Sequence, residues 1–157
     1  MLPVGPAIAG REARSRFRRR GGGGCPYVKM RVGSPTVTMP TPLVLLVEDD
    51  RDLREAMSEL IESQGVNVRA ARDGREGLEM LKSGLRPHAV FLDQCMPRLD
   101  GASVLAAMSE DPALAAIPVV WMSGERRTPP PPVTACLPKP FEVSDLRAIL
   151  ATLCRAG

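Results

Sequence analysis

Aromatic side chains are scarce in this 157-residue chain, which has three Phe, one Tyr and one Trp. A core must therefore be aliphatic, built of Val, Leu, Ile, Ala and Met, as suits a parallel sheet covered by helices. The four cysteines (Cys25, Cys95, Cys136, Cys154) stand far apart with no CxxC pair. That spacing carries no signature of a zinc ribbon or a disulfide framework, and it fits a reducing, cytoplasmic setting. No apolar run approaches the roughly 20 residues of a membrane span, and the N-terminus lacks the apolar stretch of a secretory signal. Acidic groups are also nearly missing from the first 40 residues, where Glu12 stands against eight Arg and Lys.

The net charge of +3 thus hides two opposite halves, +7 over residues 1–40 and −4 over the remainder. The basic pI says nothing about the partners of the remainder. Residues 1–40 mix Arg runs, Gly21 to Gly24 and prolines without helical or strand period, which predicts a disordered basic tail ahead of a folded domain over 41–157. The Arg16-Phe17-Arg18-Arg19-Arg20-Gly21 stretch has the composition that grips nucleic acid through phosphate contacts, and a solvated tail is the plainer reading. Met39, directly before the first apolar run, offers a start that leaves residues 1–38 outside the native protein. Arg-rich, acid-poor N-termini also resemble organelle transit peptides, with no other feature here in support.

From Leu43 the chain alternates apolar runs with amphipathic stretches. Leu43 to Val47 ends in Glu48-Asp49-Asp50, and Ala89 to Leu92 ends in Asp93. Ile117 to Met122 ends in Ser123-Gly124, and Ala135 to Pro138 ends in Lys139-Pro140-Phe141. Runs apolar at every position read as strands covered on both faces, and such sheets bind ligands beyond the carboxyl ends of their strands. An isolated Asp there would be only a turn residue. Four strand ends carrying an acidic pair, a lone Asp, a hydroxyl and an ammonium form a set.

Between these runs, Leu53, Met57, Leu60 and Ile61 recur at helical spacing from Arg51 to Gln64, with Gly65 as the stop. Val66 to Ala70 reads as a further strand. Asp73 caps a helix that carries Leu78 and Leu81 and stops at Gly84. Ala102 to Glu110 is the next helix, ended by Asp111-Pro112, and Val143 to Cys154 the last. Strand and helix in alternation predict a three-layer α/β/α sandwich with right-handed crossovers.

From about Leu43 to Leu153 the chain resembles the receiver domain of two-component response regulators. The resemblance rests on Asp49 and Asp50 as the acidic pair, Asp93 as phosphoacceptor, Ser123 at the hydroxyl position, and Lys139 followed by Pro140-Phe141. It implies a five-stranded parallel sheet in the flavodoxin-like order 2-1-3-4-5. It implies Mg²⁺ held by Asp49, Asp50, Asp93 and the backbone carbonyl of Cys95, hard oxygen donors that suit this ion. Lys139 and Ser123 would contact phosphoryl oxygens, and Lys139-Pro140 is expected to be cis. The phosphoryl donor is expected to be a histidine kinase or a phosphotransfer protein, and the output a change in binding to a downstream protein. Only Arg155-Ala156-Gly157 follow the last helix, so a stand-alone receiver with no membrane partner is expected.

Two departures from the family pattern bear on output. The family places its fourth helix between the Ser123 and Ala135 strands, where this chain has Pro129 to Pro132, which no helix interior accommodates. A polyproline segment at about 3.1 Å per residue is long enough to return the chain, and such segments suit aromatic-lined partner grooves. The switch aromatic usual three residues before the lysine is Cys136. A docking module working without phosphorylation is accordingly the alternative function. A third class, a phosphatase with a strand-end Asp, generally has a second Asp two residues on. Cys95 holds that position, so no enzyme is expected.

Overall fold

The computed structural model describes residues 41–124 and 132–154. The expectations for the basic tail over 1–40 and for the proline segment, most of which falls in 125–131, lie outside the described residues. Five strands, β1 (Leu43–Val47), β2 (Asn67–Ala71), β3 (Ala89–Asp93), β4 (Val119–Ser123) and β5 (Ala135–Pro138), form one parallel sheet in the order β2-β1-β3-β4-β5. Helices α1 (Arg51–Glu62), α2 (Gly74–Lys82), α3 (Gly101–Glu110) and α4 (Pro112–Ala115) lie in the connections from β1 to β2, β2 to β3 and β3 to β4, and α5 (Val143–Leu153) follows β5.

Side chains alternate across a strand, and here the alternation divides the core in two. Leu45, Val47, Val90, Leu92 and Trp121 join Leu81, Val104 and Leu114 from α2, α3 and α4 on one face. On the other face, Val44, Leu46, Phe91 and Met122 join Met57 and Ile61 from α1 and Leu146 and Leu150 from α5. The buried residues of both faces are aliphatic apart from Phe91 and Trp121, with partly buried Phe141 packed against the second face, so the scarcity of aromatics costs the packing little. The expected sandwich and strand order are present.

Helix ends follow local chemistry. Gly65 and Gly84 have φ of 78° and 108°, a region open to glycine, and each donates its N–H back to the helix it ends, Gly65 to the Glu62 carbonyl and Gly84 to the Leu81 carbonyl. Asp73 caps α2 by accepting the Glu76 N–H at 2.9 Å. Several boundaries differ from expectation by a residue or two, as in β2 at Asn67–Ala71 and α1 ending at Glu62, and Asp111-Pro112 both ends α3 and starts α4. Asp111 accepts the Ala113 N–H at 2.9 Å, and Pro112 occupies the first helical turn, where its missing N–H has no intrahelical partner to lose.

Pro138 sits within β5 without breaking it. The next amide, Lys139 N–H, donates to the Ser123 carbonyl at 2.7 Å, so the Pro138 nitrogen in this alternating strand faces away from β4. β5 is the last strand of the sheet, and an outward-facing imide there forfeits no ladder hydrogen bond.

Candidate functional site

The carboxyl ends of β1, β3 and β5 meet at a cleft of about 370 Å³ lined by Glu48, Asp49, Asp93, Gln94 and Lys139 among others. Asp93, the last residue of β3, is buried, with 4% of its surface exposed. Its two oxygens have separate partners: Oδ1 accepts from Lys139 Nζ at 2.6 Å and Oδ2 from the Cys95 N–H at 3.0 Å.

Glu48 continues β1 by one residue, donating its N–H to the Ala71 carbonyl at 3.1 Å. Its carboxylate is almost wholly buried and accepts from Lys139 Nζ at 2.7 Å. Burial and the neighbouring Asp93 charge push the Glu48 pKa above its ordinary 4.5, against the opposing pull of Lys139. For Lys139, burial works to lower the pKa, yet hydrogen bonds and charge from Asp93 and Glu48 outweigh it and the net shift is upward. Lys139 is therefore a cation shared by two carboxylates. It follows Pro138 at the end of β5 and precedes a cis bond to Pro140, as expected.

Carboxylate oxygens of Glu48, Asp49 and Asp93 all lie within 4.8 Å of one another. Asp49 is exposed while the other two are buried. Asp50, expected as half of the acidic pair, is not in this cluster, although it borders the cleft. It is the N-cap of α1, and its Oδ1 accepts the Leu53 N–H at 3.0 Å. The β1-end carboxylates that cluster with Asp93 are thus those of Glu48 and Asp49. Arg54, which the sequence reading passed over, braces this turn by donating to the carbonyls of Glu48 at 2.7 Å and Asp49 at 3.2 Å.

The loop after Asp93 is held on several sides. Gln94 donates its N–H to the Met122 carbonyl at 2.9 Å and accepts the Gly101 N–H at 3.2 Å. At Gly101 a Cβ would fall 2.3 Å from the Asp93 carbonyl oxygen and 3.1 Å from the Trp121 ring, so only glycine lets the loop close. Arg98 adopts a positive φ of 68° and reaches Asp73 at 3.0 Å, which ties the loop to the start of α2. Ser123, at the end of β4, is buried, and its hydroxyl donates to Gln94 Oε1. The Cys95 thiol is exposed, as is that of Cys136 on β5.

The model of the response regulator receiver domain matches residues 44–151, well over half of the chain. The chain belongs to the receiver domain family. This receiver is 36% identical over 116 residues to the response regulator MprA of Mycolicibacterium vanbaalenii, a match covering 71% of the chain and 50% of MprA. It is 34% identical over 106 residues to the two-component response regulator ORR3 of rice (Oryza sativa), covering 68% of the chain and 79% of ORR3. The chain thus spans about half the length of MprA and about four fifths of ORR3. Among solved structures, it resembles the chemotaxis protein CheY4 of Vibrio cholerae with a TM-score of 0.65 at 26% identity, covering 72% of the chain and 98% of CheY4. The receiver domain of the Francisella response regulator 1452 gives a TM-score of 0.67 at 25% identity, covering 73% of the chain and 98% of that domain.

Proposed function

We propose that this receiver accepts a phosphoryl group on Asp93 and relays the change to a binding partner. The observation that carries this reading is the ion-pair set at Asp93, where one ammonium spans Asp93 and Glu48 beside a third carboxylate. A phosphohistidine of a histidine kinase or phosphotransfer protein is the donor. An Asp93 oxygen attacks phosphorus, the P–N bond breaks, and the imidazole leaves with the electron pair of that bond. Lys139 then holds a phosphoryl oxygen by a charge-assisted hydrogen bond, and the Ser123 hydroxyl donates to another.

Mg²⁺ suits the donor set: three carboxylates against one ammonium leave net negative charge, and all the donors are hard oxygens. Glu48, Asp49 and Asp93 would hold it, with the Cys95 carbonyl added by family resemblance. Exposed Asp49 leaves room for the waters this ion retains. When bound, the ion offsets charge on the transferring group.

A role in signalling rather than turnover fits Cys95, which stands where the phosphatase class generally has its second Asp. No helix among the described residues is long and apolar enough to cross a membrane, and a cytoplasmic site of action is part of the proposal. Incubation with acetyl phosphate and Mg²⁺, followed by intact-mass comparison with Asp93→Ala, tests the reading. One added phosphoryl group on the wild type and none on the variant is expected. Equal uptake by both, or none by either, overturns it.

A further inference from the structure

The Ser123 hydroxyl is held by Gln94, the residue after the acceptor. A serine hydroxyl has one proton to donate. In the structure that proton goes to Gln94 Oε1, and Ser123 is buried, which limits replacement by water. The Gln94 backbone is held beside Ser123, because its N–H donates to the Met122 carbonyl in continuation of the β3 and β4 ladder and its carbonyl accepts from Gly101.

We infer that Gln94 is a positioning residue that latches the Ser123 hydroxyl away from Asp93, so that phosphoryl binding must first exchange this hydrogen bond. The inference rests on Asp93 being the acceptor. A phosphoryl oxygen is a charged acceptor and forms the stronger bond, so the latch sets a threshold and does not block the reaction. The amide also carries two donor hydrogens. Once the hydroxyl has turned, a rotated Gln94 is able to donate to it, which gives the amide a partner in both states.

The test measures binding of beryllofluoride, a tetrahedral mimic of the acyl phosphate, in the presence of Mg²⁺. Four proteins are compared: wild type, Gln94→Met, Ser123→Ala and the double variant. Methionine matches glutamine in length and lacks a strong acceptor. The expected result is about two- to tenfold tighter binding by Gln94→Met than by wild type, the equivalent of one net hydrogen bond. The same substitution should change nothing on the Ser123→Ala background. A merely structural role for Gln94 would give the same change on both backgrounds, and that outcome, or no change on either, overturns the latch. Gln94→Leu replaces the methionine variant if the latter does not fold. A wild type that binds no beryllofluoride and takes no phosphate overturns the acceptor reading and the latch together. Binding by wild type with unaltered variants removes the latch alone.

Discussion

The Asp50 carboxylate accepts the Leu53 N–H at 3.0 Å, so it closes the first turn of α1 while its neighbour Asp49 joins Glu48 and Asp93 at the cleft. Two adjacent aspartates therefore have separable effects. Asp50→Ala should cost about 1 kcal/mol of stability as a lost helix cap and retain a Mg²⁺-induced rise in melting temperature. Asp49→Asn should fold and lose most of that rise. Thermal melting with and without Mg²⁺ separates the two, and an unchanged shift in Asp49→Asn would count against the proposed ion site.

Lys139 is the cation shared by Glu48 and Asp93. Its replacement by methionine leaves two buried carboxylates facing each other, and the loss should be about 2 kcal/mol, within the range for hydrogen bonds to charged groups. Added Mg²⁺ should restore part of it, because a cation then offsets the same repulsion. Urea unfolding with and without the ion measures both effects.

Gly101→Ala puts a methyl group against the Asp93 carbonyl and the Trp121 ring. Overpacking of this kind costs about 1–3 kcal/mol. Because the obstruction is backbone, the upper part of that range is expected in equilibrium unfolding, with a parallel fall in the rate of phosphate uptake as the acceptor loop is displaced.

Asp73 caps α2 and pairs with Arg98, and its pKa is lowered from 3.8, chiefly by the Glu76 backbone N–H, with Arg98 adding to the effect against burial. A depressed folded pKa gives stability that is fully present above the unfolded value and is lost as pH falls through the folded one. Relative to Asp73→Asn, which retains a cap oxygen, wild type should be more stable at pH 6. The difference should disappear as pH drops below 3.8, measured by urea unfolding across that interval.

All the described strands and helices fall between Leu43 and Leu153. A chain beginning at Met39 should therefore melt within a few degrees of the full-length protein and take phosphate at the same rate. Failure of either would give residues 1–38 a part in the fold or the site.

The strands were legible because short, fully apolar runs such as Leu43 to Val47 and Ala89 to Leu92 fit strands covered on both faces, and Gly65 and Gly84 mark helix ends by their backbone conformation, while the strand order came from the family resemblance. Asp93 and Lys139 were legible as polar residues ending such runs. Glu48 was not, since three consecutive acidic residues look alike until the last strand hydrogen bond is known, here Glu48 N–H to Ala71. The signal for Asp50 was present: a residue directly before an amphipathic helix is a cap, the rule that placed Asp73. Gln94 left no trace in periodicity, because its contact with Ser123 joins two strand ends 29 residues apart.

The outward-facing Pro138 also bears on self-association. An edge strand offers its unpaired amides as a template for another chain. At Pro138 that template lacks a donor at the position nearest the cleft, so a strand added along β5 could not complete its ladder there. The opposite edge, β2, carries exposed Arg69 at mid-strand, and a second copy laid along it in register would bring like charges together. Each border of the sheet thus carries one feature that works against edge-to-edge pairing.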